Sequence, residues 1–92
     1  MIKSFACRDT EKLFNHLRVR RFQSFERQER KRLMVLHAAP SLEALMLNPD
    51  NQLHSLKGDR KGRYAISINK QWRVCFEWHG GNAFNVKIID YH

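Results

Sequence analysis

The order of apolar and polar positions divides the chain into two halves. Helix-forming residues dominate the first, whereas aromatics, β-branched residues and glycine turns dominate the second. Residues 2–5 read as a short strand, and Asp9 or Thr10 can then cap a helix over residues 11–17. After the basic patch Arg18-Val19-Arg20-Arg21, a longer helix is expected over residues 22–39. Phe22, Phe25, Leu33 and Leu36 fall on one stripe at helical spacing, while Glu26, Arg27, Arg30 and Lys31 face water. Pro40 stops that helix. Ser41 can cap a short helical turn over residues 42–45, and Asn48-Pro49-Asp50-Asn51 is a turn.

Strands are expected at about residues 52–56, 63–68, 72–78 and 83–91. The connectors Lys57-Gly58-Asp59-Arg60-Lys61-Gly62, Asn69-Lys70-Gln71 and His79-Gly80-Gly81-Asn82 are short and turn-forming, so consecutive strands should pair antiparallel. Alternation assigns the faces. Tyr64, Ile66 and Ile68 point one way, as do Trp72, Val74, Phe76 and Trp78, and Phe84, Val86 and Ile88. Arg63, Ala65 and Ser67, then Arg73, Cys75 and Glu77, then Asn85, Lys87 and Tyr91 point the other. The expected fold is α+β: a compact single domain over residues 1–92, with an N-terminal strand and helices packed on one face of an antiparallel sheet. The opposite face should be concave, basic and polar, carrying Arg63, Arg73, Lys87 and Tyr91.

Charge narrows the partners. Seventeen Lys and Arg against nine Asp and Glu give a net charge of +8 on 92 residues, a field that attracts polyanions. The excess is spread along the chain rather than set opposite a wide apolar face, which favours nucleic acid over a membrane surface. No apolar run approaches membrane-spanning length, and the first residues lack the apolar stretch of a signal peptide, so a cytoplasmic protein is expected. Cys7 and Cys75 read as reduced thiols in that compartment. His16, His37, His54, His79 and His92 show no zinc spacing.

Cleaving RNA without a metal requires a group to help deprotonate the 2′-hydroxyl, cations for the phosphorane-like transition state, and a proton for the leaving oxygen. Suitable residues occur at His54, Lys57, Arg60, Lys61, Arg63, Arg73, Asp90, Tyr91 and His92. No acidic cluster suits magnesium, so neither a metal nor another cofactor is expected. Each residue also has a structural reading. His54 would be a surface histidine, Arg73 a stacked cation or the partner of Glu77 or Asp90, and Lys57, Arg60 and Lys61 a solvated turn. Tyr91 would close the core and His92 would be a frayed end. Generic RNA binding would use the same basic and aromatic groups.

Four segments in register carry a resemblance. They are the start Met-Ile-Lys-Ser-Phe, the stretch Leu53-His54-Ser55-Leu56-Lys57-Gly58-Asp59-Arg60-Lys61-Gly62-Arg63, the stretch Ser67-Ile68-Asn69-Lys70-Gln71-Trp72-Arg73-Val74, and the end Ile89-Asp90-Tyr91-His92. Together they resemble the HigB toxins of the RelE superfamily, also called plasmid maintenance killer proteins, over essentially the whole chain. The resemblance implies a RelE-like fold, metal-independent cleavage of mRNA in the ribosomal A site, and a product with a 2′,3′-cyclic or 3′-phosphate. It also implies a HigA-type helix-turn-helix antitoxin that represses the operon.

Carried over, it makes His54 and Lys57 candidates for acid–base work and phosphate contact, and Arg73 the stabiliser of the scissile phosphate. Asp90, Tyr91 and His92 would complete the site, with Arg60, Lys61, Arg63, Lys70 and Lys87 binding RNA. Two departures stand out. Ser55 replaces a frequent proline, and the second arginine that some members place before the Trp-Arg pair is absent from Ile68-Asn69-Lys70. Lys70 or Arg63 would substitute, although lysine lacks arginine's bidentate fork. The competing reading is a non-catalytic basic module that binds RNA or the ribosome and acts by occupancy.

Overall fold

The computed structural model describes residues 1–56 and 62–90. Its helices are α1 (Arg8–Phe14), α2 (Glu26–Ala38) and α3 (Leu42–Leu47), and its strands β1 (His54–Ser55), β2 (Arg63–Ser67), β3 (Trp72–His79) and β4 (Asn82–Asp90). Short 3-10 turns occupy Arg20–Phe25 and Pro49–Asn51. The strands form one antiparallel sheet in the order β1-β2-β3-β4. The α+β class and its antiparallel sheet are those expected from the sequence. No helix among the described residues is long and apolar enough to cross a membrane.

Several local expectations give way to tertiary contacts. The first helix begins at Arg8 with Cys7 at its N-cap and no side-chain cap, so neither Asp9 nor Thr10 caps it. Thr10 is instead fully buried, and its hydroxyl accepts a hydrogen bond from the Ile88 N–H at 3.0 Å. The expected helix over residues 22–39 is divided, because Phe25 leaves the helical region (φ −125°, ψ 18°) between the 3-10 turn and α2. Phe22, in that turn, is buried edge-on against Trp72, ring centres 5.6 Å apart.

The buried stripe of α2 includes Leu33 and Leu36 and also the acidic Glu29, all with no exposed surface. Arg27 and Lys31 are exposed, but Glu26 and Arg30 are half-buried rather than turned to water. Arg30 donates to Glu26 at 2.8 Å and to the Leu13 carbonyl at 3.2 Å, joining the His16 N–H on that oxygen and tying α2 to the end of α1. Ser41 caps α3 as expected, accepting from the Ala44 N–H at 3.1 Å.

The expected strand over residues 2–5 pairs with β4 only at isolated parallel bridges, Ile2 with Ala83 and Phe5 with Val86. Lys3 and Ala6 N–H donate to the Ala83 and Val86 carbonyls at 2.7 and 2.9 Å, skipping Phe84 and Asn85. The break is a bulge. The β3–β4 register shifts between Cys75 and Glu77, and Asn85 takes φ +53°. Residues 1–6 and then Thr10 thus cover the outer edge of β4, which would otherwise offer unpaired backbone groups.

At the other edge, β1 is far shorter than expected, because Gln52 adopts φ +47° and starts the strand late. Its approach is pinned by Asn51, which accepts from Arg32 at 2.6 Å and donates to the Leu45 carbonyl at 3.0 Å while almost fully buried. The β3–β4 hairpin closes through Gly80 and Gly81, both at positive φ, the geometry a two-residue hairpin loop requires. The core lies between the helices and one sheet face, with Ile66, Val74, Phe76, Val86 and Ile88 meeting Leu13, Leu33 and Leu36.

Candidate functional site

Residues paired across an antiparallel ladder share a face, so the register maps the far side of the sheet row by row. One row reads Ser67, Arg73 and Ile89. The next reads His54, Ala65, Cys75 and Lys87. A third reads Leu56, whose N–H donates to the Arg63 carbonyl, then Arg63, Glu77 and Phe84. His79 and Asn82 close the surface beside the hairpin.

The small side chains Ala65, Ser67 and Cys75 are buried in the middle of this face. His54 and Lys87 stand on opposite outer strands, three strand spacings or ~14 Å apart. The result is a trough with a floor of small residues and cations on its margins. Arg73 is the diagonal neighbour of Lys87, and Arg63 that of His54, in each case ~7–8 Å at the backbone. Each pair can therefore converge on one or two phosphates of an extended strand.

The structure thus brings His54, Arg63, Arg73 and Lys87 to one face. It does not bring Asp90 or Lys70 there. Asp90 pairs with Trp72, at the helix-side parity, and accepts from the Gln71 amide at 3.3 Å. Lys70 is exposed in the β2–β3 turn, beyond the end of the trough. That turn is held by Asn69, which accepts from the Gln71 and Trp72 N–H groups and donates to Gln28 of α2 at 2.9 Å. Lys57, Arg60, Lys61, Tyr91 and His92 lie outside the described residues.

Two assignments of face change. Phe84 pairs with Glu77 on the trough side, and Ala83 takes its expected place in the core opposite Trp78. The bulge at Asn85 causes this, since one extra residue reverses the parity of everything before it. A strand asparagine is the available sequence signal, being a residue that tolerates positive φ, but it does not locate a bulge by itself.

Sequence reasoning also missed a group centred on Glu77. Its carboxylate accepts from Asn85 Nδ2 at 2.7 Å, lies 3.5 Å from the Arg63 guanidinium, and is 3.4 Å from His79 Nε2. The Asn85 hydrogen bond, more than any other influence, holds the Glu77 carboxyl below its usual range, with His79 and Arg63 adding to it. His79 also packs against Phe84, ring centres 5.8 Å apart. Next to this group is a hollow of about 390 Å³ lined by Arg63, Cys75, Glu77, Asn85 and Lys87 among others. The face therefore combines cations for phosphates, one fixed carboxylate, and a cavity.

A family profile described as "RelE-like toxin of type II toxin-antitoxin system HigB" matches residues 3–92. "Endoribonuclease HigB" of Proteus vulgaris is 42% identical over 41 residues, 45% of each chain. "Toxin HigB-1" of Vibrio cholerae is 38% identical over 55 residues, 60% of this chain and 58% of that one. The chain spans about half the length of the curated relatives it matches. Since the profile match runs over nearly the entire sequence and the strand order and antiparallel register suit it, this chain belongs to the RelE-like HigB toxin family of type II toxin–antitoxin systems.

Proposed function

We propose that the chain is the toxin of a type II toxin–antitoxin pair and acts as a ribosome-dependent endoribonuclease on mRNA in the A site, in the cytoplasm. The observation that carries this is the trough, in which His54, Arg63, Arg73 and Lys87 share one face over a floor of small residues. A single RNA strand fits such a surface, since its phosphates can meet the cations while its sugars and bases lie over the floor of small residues. The relative named as an endoribonuclease supports cleavage over occupancy.

In this reading the RNA 2′-oxygen attacks the adjacent phosphorus, the 5′-oxygen leaves with a proton, and a 2′,3′-cyclic phosphate remains. Arg73 neutralises the charge growing on the phosphate, and arginine suits this because its fork meets two oxygens at once. Arg63 and Lys87 hold flanking phosphates, with Arg63 taking the place of the absent second arginine. His54, Lys57, Tyr91 and His92 share the proton transfers. Asp90, on the Trp72 side, holds the strand end through Gln71 and takes no proton. The neutralising partner would be a HigA-type helix-turn-helix antitoxin.

The test is expression of the chain alone, with growth and new 5′ ends on translated messages as readouts. Wild type should arrest growth and generate new ends. Arg73→Ala should lose both, with a cut rate reduced ~100-fold or more, while its circular dichroism spectrum remains that of the folded protein. Growth arrest without new ends would favour a non-catalytic module acting by occupancy. Full activity in folded Arg73→Ala would refute the site.

A further inference from the structure

A carboxylate on a surface built to hold RNA needs a reason, because it repels phosphate. Among the described residues, Glu77 is the sole carboxylate on the trough face. It is no loose side chain. Asn85 Nδ2 donates to one oxygen at 2.7 Å, Arg63 stands 3.5 Å from that same oxygen, and His79 is 3.4 Å from the other. Its donor Asn85 sits in a left-handed backbone conformation at the bulge, which swings the amide toward β3. The bulge and the carboxylate thus form one arrangement, and backbone conformations of this kind concentrate at functional sites.

The hollow beside Glu77 has the dimensions of a small-ligand pocket, about 390 Å³. Leu56, Cys75 and Ile89 give it an apolar lining, while Arg63 and Lys87 stand at its sides. Such a wall suits the face of a base, and the cations suit the phosphates on either side of that nucleotide.

We propose that this hollow is a base-recognition subsite that selects guanine at a fixed position beside the cleavage point, with Glu77 as the specificity-determining residue. The proposal rests on the endoribonuclease reading. A carboxylate is purely an acceptor, and guanine alone among the four RNA bases presents two adjacent N–H donors on its Watson–Crick edge. Adenine and cytosine each set a ring-nitrogen acceptor beside their one amino group, and uracil flanks its imino group with carbonyls. Each would press a lone pair against a fixed anion. The hydrogen bonds from Asn85 and His79 keep Glu77 in place and ionised, so the discrimination is built before RNA arrives.

The test maps 5′ ends across the transcriptome after induction of wild type and of Glu77→Gln. Wild-type ends should show guanine enriched at one fixed position next to the cut. In Glu77→Gln the ratio of cutting at guanine to cutting at other bases should fall ~10-fold, the scale of one bidentate base contact. Wild-type cuts with no fixed guanine, or an unchanged ratio in the variant, would overturn the subsite while leaving the nuclease reading intact. Absence of any new ends in wild type would instead sink the nuclease reading itself. A second measurement does not depend on the variant folding. Trinucleotides carrying G, A, C or U at the central position are titrated into wild-type protein and followed by the backbone amide resonances of Cys75, Glu77 and Lys87. The guanine trinucleotide should shift them at ~5-fold or more lower concentration. Equal responses to all four, or none at these amides, would overturn the proposal.

Discussion

Glu29 offers a direct test of the packing described above. It lies in the buried stripe of α2 with no exposed surface, and neither of its carboxyl oxygens has a hydrogen-bond partner among the described residues. Burial raises its pKa to about 7 from an ordinary 4.5, since the charged form loses water; Arg21 opposes that rise, and Glu26 adds to it. The folded state therefore holds this proton more tightly than the unfolded chain. Below pH 4.5 both states are protonated and Glu29 makes no pH-linked difference. Between pH 4.5 and about 7 the unfolded chain ionises first, so stability falls as pH rises, and above 7 the penalty is constant.

A gap of roughly 2.5 pKa units corresponds to about 3 kcal/mol, a sizeable part of the roughly 5–15 kcal/mol that stabilises a domain. Glu29→Gln keeps the shape and removes the ionisation. In urea unfolding followed by tryptophan fluorescence, the variant should gain about 2–3 kcal/mol over wild type at pH 8.5 relative to its difference at pH 5. Taking the difference between the two proteins cancels other titrating groups. A stability difference that is the same at both pH values would refute the reasoning, because it would mean that Glu29 is ionised and satisfied in the fold.

Other predictions follow from single contacts. Thr10→Val keeps the volume but leaves the Ile88 N–H buried without an acceptor, so it should cost about 1–3 kcal/mol in the same unfolding assay. Asn85→Val should destabilise by about 1–2 kcal/mol more than Asn85→Gly, since only the second substitution tolerates φ +53°; equal losses would argue against the bulge. Burial raises the pKa of the Cys7 thiol, but hydrogen bonds from Thr10 and Asp9 and the charge of Arg21 outweigh it and leave a net lowering. Cys7 is half-buried and Cys75 buried, so iodoacetamide should modify Cys7 well before Cys75, as mass spectrometry of partially labelled protein would show.

Most of the elements and most of their faces are legible in local residue patterns. Period-two alternation in β2 and β3 put Arg63 and Arg73 opposite the apolar stripe, because a regular strand must send successive side chains to opposite sides. Short connectors specified antiparallel pairing, and Ser41 marked the start of α3. These are local rules, and local residues enforce them.

Tertiary structure decided what depends on groups distant in the chain. Thr10 looks like a cap but serves Ile88, 78 positions away. Arg30 looks solvent-facing on its own helix but supports the end of α1. Asn85 reverses the parity of β4, sending Phe84 to the trough and Ala83 to the core, and it turns Glu77 from an unremarked strand residue into a fixed carboxylate. Thr10, Arg30 and Asn85 each meet a partner far along the chain, which no local pattern reveals. A strand pattern fixes which side chains alternate, but a single inserted residue or an edge to be covered resets that pattern, and only the packed neighbours show where.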